Sequence, residues 1–467
     1  MEPKTARVIL SWGGGWSTDI GPSLTVAPQN GALVIPFLQS ADNILYELDG
    51  APHKVGGSTR LNATAISVGT NTVHGFFDAW YQGTSGSETQ LEWAYAGTSL
   101  FSMTSMNGTW TSQKTGLEDS KQPSFVMAKD IGIWASTSNV DVPQSLSTAA
   151  AVANLGGSPP NFAFAEWHRN RAWAAGVAAN PSRLYYSANL DPEDWTGAGS
   201  GSIDIDPEDG DRITFIKSHK NELIVGKGPN RGSFHRISGS SPTGSDAFAR
   251  SVFVKGLGTI NHNGGFAVAD DLFFASPRGM HSLNTTAAFG DYEQAFLNLP
   301  ILSYFQDSLN HTVLNQCWGV NYATKGLAVW TFAKAGGTAK NICLVYDYRF
   351  SPGRWASWGR NSAYANCHSL AVLQLNNVHR LYAGLTTGYV QRIADVADRS
   401  LPGGGAYTGE AKLPFLNFGT SATLKTAKAV FLGLLPKGNY NLTFGTTRDT
   451  NAEETYAISQ GGGNTLG

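Results

Sequence analysis

GGFAVADDLFFASPRGMHSLN, residues 264–284, reads as two short strands around a tight turn. Leu272 to Ala275 is the apolar first strand, Ser276, Pro277, Arg278 and Gly279 make the turn, and the second strand runs through His281 and Leu283. The pattern returns in ELIVGKGPNRGSFHRISG (222–239) and RLYAGLTTGYVQRIAD (380–395), and with a longer turn in RAWAAGVAANPSRLYYSA (171–188). Strand, turn, strand units in a regular series with weak mutual identity are the mark of a radial repeat such as a β-propeller. One landmark per candidate unit gives Tyr46, Phe101, Trp134, Trp173, Ile224, Phe274, Trp330 and Tyr382, with gaps of 55, 33, 39, 51, 50, 56 and 52 residues. A four-stranded blade needs roughly 40–50 residues. The spacing therefore predicts an all-β propeller of about eight blades, with seven also fitting if the short 33-residue gap means two landmarks in one blade. The competing architecture is a pair of β-sandwiches with ordinary hairpins.

The composition agrees with an all-β chain. The 467 residues include 54 glycines and 20 prolines, which punctuate the sequence heavily. Aromatics make up 11%, which suits strands, and charged residues only 15%, below the usual quarter. Such a surface relies on Ser, Thr, Asn and Gly, or is buried in an assembly. A net charge of −2 provides no broad basic field, which argues against tight sequence-reading of duplex DNA. It does not argue against DNA passing through a channel. MEPKTARVILSWGGGW lacks the continuous apolar core of a signal peptide, and no stretch reaches membrane-spanning length. Cys317, Cys343 and Cys367 form no CxxC and match no zinc spacing, so they read as core residues.

The organisation follows in order. Residues 1–30 read as an extended N-terminal segment, irregular over 11–30, where Pro22 and Pro28 follow a glycine run. Residues 31–398 read as the propeller, 399–411 as a linker (RSLPGGGAYTGE) and 412–467 as a small C-terminal β region with a flexible tail. QSLSTAAAVANLGG (144–157) has the most helix-like composition, and a loop with one helical turn is expected there. The best helix candidate lies within 285–313, with Pro300 near its start, as an insertion between blades.

The sharpest change of character is NLDPEDWTGAGSGSIDIDPEDGDR (189–212). Asp191, Glu193 and Asp194 precede Asp204, Asp206, Glu208, Asp209 and Asp211. Clustered carboxylates can hold a hard cation, but the spacing departs from the helix-flanked calcium loop. The expectation is an exposed acidic loop that contacts a neighbour or faces a conduit. No cofactor and no metal site are expected.

Catalytic sets are thin. A glycoside hydrolase needs two placed carboxylates. Asp130, Asp270, Asp271 and Asp395 fall at turns or strand ends. His262 and His281 have no histidine close in sequence, and there is no GxSxG, HExxH or P-loop. GKGPNRGS (226–233) lacks the Lys-Ser/Thr ending and reads as a hairpin turn. Trp12, Trp16, Trp80, Trp93, Trp110, Trp195 and Trp355 near turns or strand ends could stack on sugars, or could pack blades. The chain is expected not to be an enzyme. A glycan-binding or glycan-degrading propeller acting on a host surface is the alternative.

GGGWSTDIGPSL (13–24), HRNRAWAAGVAANPSRLYYSANLDPEDWT (168–196) and IDIDPEDGDRIT (203–214) resemble the tail nozzle, or tail-tube hub, proteins of short-tailed bacteriophages. VYDYRFSPGRWASW (345–358) and PFLNFGTSATLKT (414–426) extend the similarity, which covers roughly residues 10–450. The resemblance implies a propeller with added β domains, in a homo-oligomeric ring, most often a hexamer, at the distal tail of a virion. It implies a ring that extends the DNA ejection conduit. The implied partners are a tail adaptor protein, tail fibre or spike proteins, and double-stranded DNA passing non-specifically.

Overall fold

Central strands of this chain are mostly apolar and lack a polar alternation. Leu327–Ala333 (LAVWTFA), Arg171–Ala175 (RAWAA) and Ser99–Met103 (SLFSM) are buried along their whole length. A strand buried on both faces needs no polar alternation, so these sheets must be covered on both sides. Outer strands such as Thr111–Lys114 (TSQK) are polar and largely open to solvent. The structure is a computed structural model. It describes with side chains residues 15–19, 37–82, 86, 88–104, 108–288, 296–359, 366–394, 406–413 and 443–446. It describes as backbone alone residues 289 and 441–442 and the strands Arg7–Leu10, Ser23–Leu24, Pro28–Gln29, Ala32–Ile35, Phe415–Leu416 and Glu454–Ser459.

The described strands form seven blades, antiparallel and in sequence order from the axis outward except for the outermost strands of blades 6 and 7. Blade 1 is Val73–Gln82, Glu88–Ala96, Ser99–Met103 and Thr111–Lys114. Blade 2 is Pro123–Ala128, Ile131–Ser136, Gln144–Leu146 and Val152–Asn154. Blade 3 is Phe164–His168, Arg171–Ala175, Arg183–Tyr186 and Gly201–Asp204. Blade 4 is Arg212–His219, Glu222–Gly228, Ser233–Ser238 and Ala249–Lys255. Blade 5 has three strands, Gly265–Val268, Asp271–Ser276 and Gly279–Ser282. Blade 6 is Trp318–Tyr322, Leu327–Ala333, Lys340–Asp347 and Arg354–Trp358, extended outward by Ser40–Asp42 and Glu410–Lys412. Blade 7 is Cys367–Leu375, Val378–Leu385 and Val390–Ala394, and Gly56–Arg60 from the N-terminal side completes it. The first strand of each blade packs on that of the next, and Cys367–Leu375 returns to Val73–Gln82, so the ring closes.

The expected propeller is present, with seven blades. Seven landmarks fall in seven different blades, while Tyr46 lies in a separate hairpin of Ile44–Tyr46 with Pro52–Lys54. The short gap between Phe101 and Trp134 separates two real blades. Phe101 lies on the third strand of blade 1 and Trp134 on the second of blade 2, which shortens the interval.

Blade-to-blade cores follow from the aromatics. Tyr81, Trp93, Tyr95 and Leu100 of blade 1 meet Trp134 and Leu146 of blade 2. The Trp93 indole N–H donates to the Tyr81 hydroxyl at 3.0 Å, which donates to the Leu146 carbonyl at 3.1 Å. Full burial of one large apolar side chain contributes about 1.5–3 kcal/mol. Trp93, Trp134, Trp173, Trp330, Trp355 and Trp358 are all fully buried.

Local expectations fared differently. Within 144–157, Ala149 and Ala150 occupy a turn, and Gln144–Leu146 and Val152–Asn154 are strands. Edge pairing onto Ile131–Ser136 overrides the helical preference of alanine. The helix expected near Pro300 is present as Leu302–Ser308, led by a 3-10 turn at Leu299–Ile301, between blades 5 and 6. A second helix, Leu283–Phe289, follows blade 5. The Asp19 carboxylate accepts from the Leu302 and Ser303 amides at 2.8 and 3.2 Å, and Trp16 is buried. Part of the N-terminal segment thus docks on its own propeller. Arg7–Leu10 pairs in parallel with Ala32–Ile35. At the other end of the chain, Glu410–Lys412, read as the end of the linker and the start of the C-terminal region, is a strand on blade 6. Gly419–Gly467 is a separate unit in which Asn441–Thr446 pairs with Glu454–Ser459. Within the expected C-terminal β region, LKTAKAVFLGLL (424–435) lies outside the described residues.

Candidate functional site

The acidic stretch is built into the seam between blades 3 and 4. Asp204 takes a forked pair from Arg183, with Nε at 2.7 Å and Nη2 at 3.1 Å. That guanidinium bond holds its carboxyl below the usual range. Asp206 pairs with Arg250, whose hydrogen bond likewise lowers its pKa. Asp209 accepts from Lys227 Nζ at 2.7 Å. Lys227 is 0% exposed and also donates to the carbonyls of Ile205 and Asp206, each at 2.7 Å. Asp211 is buried and accepts from the amides of Asn230, Arg231 and Gly232 at 2.8, 2.9 and 2.7 Å. Glu208 has no partner among the described residues. Upstream, Asp191 and Asp194 accept from the amides of Glu193 and Gly197 and shape the turn. Four of the five expected site carboxylates are therefore engaged within the chain, and the five do not converge on one point. Among the described residues no three His, Cys, Asp or Glu side chains group as metal ligands.

GKGPNRGS is a hairpin turn, as read, but its Lys227 is the keystone of the acidic seam. The available signal was a lone lysine closing the apolar run LIVGKG. Asp211→Ala is expected to lower stability by about 2–3 kcal/mol, because three amides lose one charged acceptor. Chemical denaturation of both proteins measures the difference. Glu208→Ala in the same assay should change nothing.

Where the inner strands begin, side chains of non-adjacent blades meet across the axis of the propeller. A Cβ on Gly75 of blade 1 would lie 2.5 Å from Pro123 Cγ of blade 2 and 2.9 Å from Trp318 Cη2 of blade 6. Glycine is needed there because two other blades press on that strand. The 3-10 turn His262–Gly264, just before blade 5, crosses the same space. Asn263 Nδ2 donates to the Pro123 carbonyl at 2.9 Å, and the His262 ring stacks on Phe164 of blade 3 at 4.8 Å. Asn261 Nδ2 donates to the Cys317 carbonyl at 2.7 Å.

Beside this plug lies a titratable cluster that sequence spacing did not suggest. His74 Nε2 is 2.9 Å from Asp119 Oδ1, and its Nδ1 is 3.5 Å from His368 Nε2. Lys340 Nζ donates to the Gln316 carbonyl at 2.9 Å, and burial lowers its pKa to about 7. Burial also lowers both histidines, His368 with further help from Lys340. His74 and Lys340 are each 3% exposed. Farther along blade 1, Asp78 of the inner strand and Glu92 of the second share Gln90 Nε2 at 2.9 and 3.1 Å. Burial, then the Asp78 charge, pushes Glu92 up to about 9. These groups tie blades together: the Asp78 carboxylate also accepts from the Gln374 amide of blade 7 at 2.9 Å.

The other candidates resolve as scaffold. Asp130 accepts from the Gln82 amide, and Asp271 from the Asn284 amide and the Ser282 hydroxyl. Asp395 and Trp12 lie outside the described residues. Trp16, Trp93, Trp110, Trp195 and Trp355 are buried and Trp80 is half-buried, so five of the seven offer no face to a sugar. His281 is buried against Ser276, and all three cysteines are free and buried.

No family model matches the sequence, and no curated protein matches it. Among solved structures the chain is similar to the computationally designed Ika8 protein, at 7% identity and a TM-score of 0.39, over 72% of this chain and 99% of that one. It is also similar to the extracellular domain of the putative hybrid two component system BT4673 from B. thetaiotaomicron. There the identity is 11% and the TM-score 0.45, over 72% of this chain and 39% of that one. The N-terminal domain of Nup159 gives 9% and 0.39, over 76% and 98%. At these identities the likeness is one of fold alone.

Proposed function

We propose that this chain is a structural subunit of a bacteriophage tail, forming the distal nozzle ring that extends the DNA ejection conduit. The supporting observation is the closed axis. Trp318, Pro123 and the turn His262–Gly264 fill the centre, and the nearby titratable groups are used to join blades. A propeller with a blocked centre works through its rim and faces, as a building block does. The resemblance of 168–214 to tail nozzle proteins gives the assembly, and that stretch is the seam of blades 3 and 4.

On this reading several copies, most often six, form a homo-oligomeric ring. The conduit runs between subunits, because no duplex passes through a filled propeller. A net charge of −2 suits DNA that must slide, since each Lys or Arg contact to phosphate releases counterions and tightens binding. The remaining partners are a tail adaptor protein above and fibre or spike proteins at the rim. The chain is not an enzyme.

Cryo-electron microscopy of whole particles, or of the protein mixed with its adaptor ring, tests this. The expected result is a ring at the distal tail with an axial opening wide enough for duplex DNA. A location only in peripheral fibres or capsid decoration, or a soluble monomeric enzyme, would overturn it.

A further inference from the structure

Arg171 is a buried cation without a counter-charge. It opens the second strand of blade 3 and is 5% exposed. Its Nη1 donates to the carbonyls of Ser187 and Gly199 at 2.8 and 2.5 Å. Its Nε is buried with no acceptor. The guanidinium carbon lies 5.8 Å from the Tyr186 ring and 5.7 Å from the Phe248 ring. Those two rings and Trp173 form a closed aromatic set with centroids 4.9–5.2 Å apart. No carboxylate pairs with Arg171 among the described residues. The contrast with Lys227, which has Asp209, and with Arg349, which has Asp347 at 2.6 Å, is direct. A charge removed from water and left unpaired is costly, so an uncompensated buried guanidinium calls for an anion.

The surroundings supply donors. Arg169 and Asn170 form the turn before Arg171, with φ of 46° and 62°. Backbone at positive φ in both turn residues is the tight hairpin form, which fixes where the two side chains start. The Leu190 amide donates to the Asn170 carbonyl at 2.7 Å and brings Asn189 alongside. Ser240 and Ser241 of blade 4 close the far side. Together Arg169, Asn170, Arg171, Asn189, Ser240 and Ser241 line a cavity of about 480 Å³. That is the size range of small-molecule sites. The side-chain amides of Asn170 and Asn189 have no hydrogen bond among the described residues, and Arg169 has no ion pair. One carboxylate stands at the rim: the Ser240 hydroxyl donates to Asp246 at 2.5 Å. Asp191 lies near in the chain, with its carboxylate accepting from the Glu193 amide at 3.0 Å.

We infer that this cavity is a binding site for a small oxyanion-bearing ligand, a phosphorylated or carboxylated molecule of about sugar size, held by Arg171 and Arg169. Arginine suits either anion: the planar fork of Arg169 meets two oxygens at once, and Arg171, whose Nη1 is held by two carbonyls, adds its charge. The Asn170 and Asn189 amides and the Ser241 hydroxyl then orient the rest of the ligand. The cavity is carried by blades 3 and 4 of one chain, so binding does not depend on assembly into a ring.

Calorimetry on the full-length protein tests this with inorganic phosphate and with glucuronate, against sodium chloride at matched ionic strength. Saturable binding of at least one oxyanion, absent with chloride, is expected. Tighter phosphate binding identifies a phosphate ligand, and tighter glucuronate binding a carboxylate. Arg169→Ala and Arg171→Lys should each weaken that binding by about tenfold or more, since the first removes a fork and the second the planar guanidinium that fixes the charge beside the cavity. Arg171→Lys must keep the wild-type melting profile to be read; if it does not, Arg169→Ala decides. Heats indistinguishable from chloride, or wild-type affinity in Arg169→Ala, would overturn the inference.

Discussion

Lys227→Met should destabilise the protein by about 2–5 kcal/mol, because two backbone carbonyls lose a charged donor at about 1–3 kcal/mol each. The ammonium sits fully buried between two backbone carbonyls and Asp209. Methionine fills the space but satisfies none of the three. Both carbonyls then remain desolvated beneath the acidic turn, and Asp209 loses its partner. Equilibrium denaturation in urea measures the change, with the slope serving as a check that the unfolded state is unaltered. Arg183→Met breaks the Arg183–Asp204 pair nearby, but that pair is exposed and should matter little. Equal losses in the two variants would contradict the picture of one buried clasp in an otherwise solvated acidic stretch.

Stability should fall steeply as pH drops below 6.5. Burial lowers His168 and His235 to about 4, and His262 and His281 to about 3. Below 6.5 the unfolded chain takes up protons that these four folded-state imidazoles refuse. Each therefore removes up to about 1.4 kcal/mol of stability per pH unit until its folded pKa is reached. Glu92 has the opposite sign. Its folded pKa of about 9 lies above the ordinary carboxyl value, so the folded chain keeps a proton that the unfolded chain releases. Its contribution is full at acid pH and is lost as pH rises from about 4.5 to 9, which offsets one histidine between 4.5 and 6.5. Lys340, lowered to about 7, adds stability between about 7 and 10.5, because the unfolded chain then holds the extra proton. Between about 7 and 9, Glu92 and Lys340 cancel. Thermal melts from pH 4.5 to 9 should show a plateau above 7 and a steep decline below 6.5. A flat profile through the acid range would refute the assignment of neutral buried histidines, and Glu92→Gln should steepen the decline.

Much of this fold was legible because blade centres are local. Leu272 to Ala275 and the RAWAA run announce themselves by apolar continuity and by the turns that bound them. Tyr46 added an eighth landmark for the same reason: a hairpin at the margin has the same local pattern as one inside a blade. The strand Gly56–Arg60 carries no apolar signal, and its partner Val390–Ala394 is far away in sequence, so no local reading finds it. The candidate sites divide in the same way. Five acidic positions could be listed from sequence, but their partners could not. Arg250 lies 44 residues beyond Asp206, and Lys227 looks like any turn cation. Arg171 stands in plain view in the Arg-x-Trp phrase, yet its missing counter-charge is a property of three-dimensional surroundings only. His74 and His368 meet from opposite ends of the chain, joined because the last blade closes on the first.

That closure has a consequence during synthesis. Gly56–Arg60 leaves the ribosome early, but Arg60 pairs with Gln391, made roughly 330 residues later. At ordinary translation rates the segment waits about 20–60 s for a partner that does not yet exist. An apolar, β-prone strand held unpaired for so long would invite other nascent chains. GGSTR is glycine-rich, hydroxylated and charged, so it waits safely in water. The composition that hides this strand from a sequence reader also keeps it from pairing before its time.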